Sequence, residues 1–417
     1  MKRLLACLPL LLAASGTPVH AQPAPTHPNL TYATVGGKAL LLDLYVPAAG
    51  APPRPCVVWI HGGGWQSGTR FPIPPSAQRL LALGIAVASV EYRLTSQAGQ
   101  FGAEPVTFPA QIHDVKGAVR WLRAHAADYG LDPARFGSWG SSAGAHLSAL
   151  LGTSGGVAAL EGTVGGNPGE SSVVQAFGDY FGPTDILHIQ DMVTTPPGST
   201  IQHDAYTSPE SRLLGWDDPG QGLGDVKANL ANPAPPYPAL VQLALLADPI
   251  QHVSPDDPPA FISHGTNDTT VPIGQSVALA DAYTTAGLSR RWRPVTGAGH
   301  GFLGAVTDSL AADFFQRVLF ADSPVEVSTE FPTPAFRVWP NPSRGMTRIE
   351  ASRTRDAASR AAVFDLRGRL VRDLGASAAG GWTWDGRDAE KSESGPGIYF
   401  VRVGDGSQPP LRIVRIR

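Results

Sequence analysis

The sequence predicts two differently built parts: an α/β domain with a mostly parallel sheet and flanking helices, then a small all-β sandwich. Three observations carry this reading. Short apolar runs alternate with helix-length periodic segments as far as Phe320, and after it Pro-rich sequence gives way to β-like runs split by Gly and Asp. The third is size, because 417 residues with 42 % apolar content exceed the roughly 250 to 300 residues at which a single core stops growing.

In chain order, the opening Met1-Lys2-Arg3, the apolar run over 4–14 and the frame Val19-His20-Ala21 before Gln22 form a secretory signal pattern over residues 1–21. A membrane-spanning helix needs about 20 apolar residues, and Ser15, Gly16, Thr17 and Pro18 interrupt too soon. Leu4-Leu5-Ala6-Cys7 looks superficially like a lipoprotein cleavage box, but the apolar run continues past it. The expectation is Sec export to the medium or the cell surface, with no transmembrane segment in the mature chain. Cleavage would remove Cys7 and leave Cys56 alone in an apolar strand, so no internal disulfide is expected.

Residues 22–28 are Pro-rich and polar and read as a linker, and the first domain is assigned to 29–322. Strands are predicted at 39–46, 56–60, 85–92, 136–139, 173–177, 260–263 and 292–295. A helix is predicted at 108–127, where Val115, Ala118, Val119, Leu122 and Ala126 recur at helical spacing, and others follow Ser142, Pro272 and Phe302. Between 181 and 258 the chain turns to Pro, Gly, Asp and Ser around a short apolar stretch at 239–247, which reads as an insertion over the sheet's upper edge. A linker over 323–335 leads to the sandwich, 336–417, with strands predicted at 361–365, 382–384 and 398–403.

A formal charge of -3 with 16 % charged residues gives no overall basic field of the kind that recruits nucleic acid or anionic membrane, so small or neutral substrates fit better. From Phe331 onward 15 Lys+Arg face 9 Asp+Glu, but the arginines are scattered singly along strands, the pattern of a solvated face.

The chemistry is carried by four segments. Gly140-Ser141-Ser142-Ala143-Gly144 spells G-x-S-x-G between a strand and an Ala-rich helix, the context in which a nucleophilic serine sits on a tight elbow. His61-Gly62-Gly63-Gly64-Trp65 follows an earlier strand, where backbone amides can stabilise an oxyanion; Gly63, Gly64 and Ala143 are the expected donors, and His61 is expected to support the loop. Asp268 follows the 260–263 strand, and His300 lies in Gly299-His300-Gly301 after the last strand. The order Ser, Asp, His is that of α/β-hydrolases, and the three residue types are those that nucleophilic acyl transfer requires.

Together with Glu91-Tyr92-Arg93-Leu94, Phe108-Pro109-Ala110-Gln111, Gly182-Pro183-Thr184-Asp185 and His252-Val253-Ser254-Pro255, these segments resemble the bacterial esterase/lipase branch related to hormone-sensitive lipase. The resemblance is strongest to the group holding bifunctional acetylxylan and feruloyl esterases, and spans roughly 29–320. It implies an α/β-hydrolase fold, a Ser142, His300, Asp268 triad, no cofactor, and small or polysaccharide-linked ester substrates; no residue is assigned as a metal ligand. The chain departs from the family pattern at Ser141, where many relatives carry an acid, and at Ala145, where a second Gly is common; both bear on substrate fit.

The C-terminal part, through Val338-Trp339-Pro340-Asn341-Pro342, the 363–371 segment, Trp384-Asp385-Gly386 and the 397–401 segment, resembles the immunoglobulin-like sorting modules of type IX secretion cargo, related to flagellar-hook-capping domains. That resemblance implies the secretion machinery as a partner; a carbohydrate-binding module and a passive spacer are the alternatives. For the first domain the alternatives are a peptidase or amidase with the same triad and a non-catalytic binding protein on a hydrolase scaffold.

Overall fold

The computed structural model describes residues 22–48, 50–102, 105–321, 336–339, 345–351, 359–365, 369–377, 381–395, 397–403 and 411–415. The signal-peptide segment 1–21, the linker at 323–335 and the motif residues 340–342 and 366–368 lie outside them. The chain divides into two compact units, Met1–Val327 and Ser328–Arg417.

The first unit contains, in order, β1 (His27–Val35), β2 (Lys38–Tyr45), β3 (Arg54–Ile60), α1 (Pro75–Ala82), β4 (Ala86–Val90), α2 (Ala110–Ala124), β5 (Leu131–Ser141), α3 (Ala143–Thr153), α4 (Ala158–Glu161) and β6 (Ala176–Tyr180). It continues with α5 (Pro209–Leu214), α6 (Leu223–Ala228), α7 (Tyr237–Ala247), β7 (Ala260–Gly265), α8 (Gly274–Thr285), β8 (Arg290–Val295) and α9 (Ala305–Leu319). Eight strands form one sheet in the order β1-β2-β4-β3-β5-β6-β7-β8. The pairs β1/β2 and β2/β4 are antiparallel, and every pair from β4 to β8 is parallel. This is the α/β-hydrolase fold.

The parallel strands are buried on both faces, which is why they read as unbroken apolar runs. In β3 the period of two is explicit: Cys56, Val58 and Ile60 join the core under α2 and α3, whereas Val57 and Trp59 join the core under α1 and α9. The predicted helical stripe Val115, Ala118, Val119 and Leu122 is fully buried in the first of these cores. On the other face Phe314, Phe315 and Leu319 of α9 pack with Trp139 and Ala77. Among the described residues no helix is long and apolar enough to cross a membrane.

Three expectations shift. The 22–28 linker ends early, because His27 and Pro28 already belong to β1, where the His27 ring meets Tyr129 at 4.9 Å. The strand expected at 173–177 lies at Ala176–Tyr180 instead: Val173 is exposed, and Asp179 is buried within the strand. Helix α1 was not expected at all. The 181–258 insertion holds α5, α6 and α7, and the apolar stretch at 239–247 forms most of α7.

The second unit is all-β. Strands β9 (Phe336–Trp339), β10 (Thr347–Ala351) and β13 (Gly381–Trp384) form one antiparallel sheet, ordered β13-β10-β9. Strands β11 (Ser359–Asp365), β12 (Leu370–Ser377), β14 (Gly397–Val403) and β15 (Leu411–Arg415) form the other, ordered β12-β11-β14-β15. Ile349 and Trp384 of the first sheet and Val363, Val401 and Ile413 of the second share one buried core.

Candidate active site

The elbow is forced by close approach. Strand β5 ends at Ser141 and α3 begins at Ala143, leaving Ser142 between them at φ 54° and ψ −126°. For a residue with a side chain that conformation costs on the order of 1 to 3 kcal/mol and persists only where the surroundings over-determine it. They do so here: a Cβ at Gly140 would lie 2.2 Å from the Gly144 carbonyl oxygen, and one at Gly144 would lie 2.1 Å from that of Ile60. Both glycines are therefore set by the contact of α3 with the strand ends. The Ser142 amide donates to the Tyr180 carbonyl at 2.9 Å, anchoring the turn to β6.

The structure brings Ser142, His300 and Asp268 into one line. Ser142 Oγ is 3.0 Å from His300 Nε2, and His300 Nδ1 is 2.7 Å from Asp268 Oδ2. Asp268 is 2 % exposed, yet its carboxyl is well provided with donors. Oδ1 accepts from the amides of Thr270 and Val271 at 2.8 and 2.9 Å, and Oδ2 also lies 3.2 Å from His264 Nε2. Burial pushes this acid upward, but the hydrogen bonds from His264 and His300 outweigh it and hold it well below the usual carboxylate range. A dehydrated carboxylate that stays ionised can orient an imidazole and stabilise its cation.

The glycine loop closes the other side of Ser142. Gly63 has φ 116° and Gly64 φ 60°, a combination that residues with side chains rarely adopt. Both line a cavity of about 580 Å³ together with Ala143, Ser142 and His300. Among the described residues, the amides of Gly63, Gly64 and Ala143 have no protein acceptor. His61 supports this loop: its Nδ1 is 2.8 Å from the Gly62 carbonyl, its ring stacks on Tyr92 at 4.5 Å, and Tyr92 Oη donates to its carbonyl at 3.0 Å. Arg93 of the same segment pairs with buried Asp114 at 2.7 Å, fixing the loop's base to α2.

A profile of the BD-FAE family matches residues 42–283, more than half of the chain. The chain belongs to the BD-FAE family. Among curated proteins, this BD-FAE member is 31 % identical to Esterase LipQ of Mycobacterium tuberculosis over 278 residues, 65 % of this chain and 56 % of that protein. It is 29 % identical to Carboxylesterase NlhH of the same species over 59 % of this chain and 66 % of the other. The chain spans about half the length of the first curated relatives it matches. Among solved structures, a truncated carbohydrate esterase from gut microbiota is similar with a TM-score of 0.59 and 29 % identity, covering 73 % of this chain and 99 % of that one. Thermogutta terrifontis Est2 with propionate bound is similar with a TM-score of 0.53 and 26 % identity, covering 72 % and 97 %.

Several residues of this BD-FAE site escaped the sequence reading. His264 is fully buried, four residues before Asp268; Ser276 Oγ lies 2.7 Å from its Nδ1, so Nε2 is free to donate toward Asp268 and the Val271 carbonyl. Its position at the end of β7 was visible, but its partner was not. Phe181 lies tilted against His300, with ring centres 4.6 Å apart and planes at 60°, and has φ 50°. Trp65, Ser142 and Phe181 are thus three residues with side chains that hold positive φ, and all three line the cavity. His146 on α3 accepts from Trp65 Nε1 at 3.2 Å and meets the Ala247 carbonyl through Nε2 at 2.7 Å. Burial lowers its pKa to about 4, so the neutral ring ties the glycine loop, the elbow helix and the insertion together. From the insertion, Ile201, Pro209 and Glu210 complete the lining.

Proposed function

We propose that the chain is a serine carboxylesterase. The observation that carries this reading is the unbroken contact line from Ser142 Oγ through His300 to Asp268, beside the amides of Gly63, Gly64 and Ala143. Ser142 attacks the ester carbonyl while His300 takes its proton, and Asp268 holds the ring and stabilises the imidazolium. The Gly63, Gly64 and Ala143 amides receive the oxyanion, where one such donor is worth about 10² to 10³ in rate. His300 then protonates the leaving alcohol, and water hydrolyses the acyl-enzyme by the reverse proton path.

The names of LipQ and NlhH support ester hydrolysis, the carbohydrate esterase among the structural neighbours supports a carbohydrate-linked ester, and acetyl or feruloyl esters of plant polysaccharide rest on the sequence resemblance. Export rests on the 1–21 signal pattern, and secretion sorting rests on the sequence resemblance of the 336–417 domain.

The test is labelling by a fluorophosphonate together with turnover of an aryl acetate and an aminoacyl anilide. Wild type is expected to label at Ser142 and to prefer the ester, and Ser142→Ala to lose both labelling and at least about 10⁴ in kcat while remaining folded. Faster cleavage of the anilide would overturn the esterase reading in favour of an amidase, and absence of labelling would point to a binding protein.

A further inference from the structure

The catalytic scheme leaves one buried acid in the same cavity without a task. Glu210 sits in the first turn of α5, is 2 % exposed and lines the cavity with Ser142 and His300. One carboxyl oxygen, Oε1, is 3.0 Å from Nδ1 of His203, a ring with no exposure at all. The other, Oε2, is buried and has no hydrogen-bond partner among the described residues.

The group is held firmly. The His203 amide donates to Gln190 Oε1 at 2.7 Å, and Ser208 caps α5 by accepting from the Ser211 amide at 3.1 Å. Pro209 Cβ lies 3.3 Å from where a Cβ on Gly64 would stand, and Arg212 donates to Gln66 Oε1 at 2.5 Å, so α5 is seated against the glycine loop. Burying a carboxyl oxygen without a partner is costly, so such an atom in a native fold calls for a specific explanation, and its place in a substrate-sized cavity supplies one. The remaining polar lining includes the hydroxyls of Ser141 and Thr270 and the Gln66 amide, groups that pair with a hydroxylated ligand.

We propose that Glu210, oriented by His203, is a specificity residue that accepts a hydrogen bond from a hydroxyl group carried by the substrate close to the scissile ester. This rests on the esterase reading and adds to it the chemical feature that the cavity selects. An ester whose hydroxyl is methylated leaves Oε2 unsatisfied in the complex, so discrimination falls on the donor hydrogen itself.

The experiment compares kcat/KM for 2-hydroxyethyl acetate against 2-methoxyethyl acetate, and for the three-carbon pair, with 4-nitrophenyl acetate as the ester lacking a donor. In wild type, one hydroxyl ester is expected to exceed its methyl ether by about ten- to a hundredfold, the range of a hydrogen bond to a charged group. Glu210→Met is expected to bring that ratio toward one, and Glu210→Gln, which keeps a carbonyl acceptor, to retain part of it. Wild type that hydrolyses 4-nitrophenyl acetate but shows ratios near one overturns this inference alone, and so do unchanged ratios in both variants. Faster turnover of acetylcholine than of 2-hydroxyethyl acetate overturns it in favour of a cation site. Wild type inert toward every ester overturns the esterase reading and this inference together. Because the wild-type ratios need no variant, the outcome does not depend on Glu210→Met folding.

Discussion

The two sides of the cavity are built from different material. The sheet side presents Ser142, Asp268 and His300 on the connections that follow β5, β7 and β8, and the glycine loop on the connection after β3. Each is pinned through backbone atoms: the elbow by the Gly140 and Gly144 contacts, the acid by two amides, the glycine loop at the His61 carbonyl, which accepts from the Tyr92 hydroxyl. The insertion side presents Ile201, Pro209 and Glu210 on short helices and turns, joined to the sheet side through the shared core at Leu213 and Ala244, by side-chain bonds such as Gln275 to Thr184, and by the Thr200 and Phe108 amides on the Thr269 and Leu213 carbonyls at 2.7 and 2.8 Å. The difference separates two tasks. In the proposed esterase the bond-making groups would sit where parallel strands end, at positions the fold dictates, whereas the opposite cavity walls come from a segment the fold leaves free to vary.

The contrast can be broken most severely at Asp268. If the sheet side carries the chemistry alone, Asp268→Asn lowers kcat/KM by roughly 10³ to 10⁴ for every ester alike; steady-state kinetics across an ester panel check this, and a loss confined to some esters would erase the distinction. The same carboxyl links pH to stability. Its folded pKa is depressed, so its contribution is present above the unfolded value near 4 and is lost as pH falls through the folded one. The stability gap between wild type and Asp268→Asn should therefore close in thermal melts below about pH 4.

Asp179 carries the opposite sign. Burial lifts its pKa to about 6, against a Gly182 amide bond and the nearby His264 that pull it down, and Oδ2 has no partner among the described residues. A raised acid favours the fold while protonated and costs stability as pH rises from about 4 to about 6. Asp179→Asn, which keeps the acceptor for Gly182, should gain up to about 3 kcal/mol above pH 6 and little below pH 4 in denaturant melts. The smallest effect is expected on the insertion side. Ile201→Trp narrows the cavity and should lower kcat/KM for an aryl butyrate relative to an aryl acetate by about tenfold, a shift in ratio that no sheet-side change should produce.

What could be read in the sequence follows the same division. The elbow, the glycine loop, Asp268 and His300 were legible because each stands beside a strand whose apolar run is easy to see and carries glycines that close backbone approach requires. The stripe on α2 was legible because its period is set by burial on one face. Strand β6 was placed three residues early because the apolar residues of 173–177 drew the reading, whereas the strand runs on through Gly178, Asp179 and Tyr180, where Asp179 is bonded to the Gly182 amide. Glu210, His264 and Phe181 were not legible as site residues. Their partners lie 7, 4 and 119 positions away, in His203, Asp268 and His300, and nothing in composition or periodicity joins them.

Cys56 lies in β3, hydrogen-bonded between β4 and β5, and burial pushes its thiol up to about 12. Alkylation needs a solvent-reachable thiolate, so in the native fold this sulfur is silent. Its modification rate, followed by mass at the Cys56 peptide, becomes a clock for opening of the sheet's centre. Bound ester analogues that slow that clock without touching β3 would measure how firmly the cavity and the middle of the sheet are held as one unit.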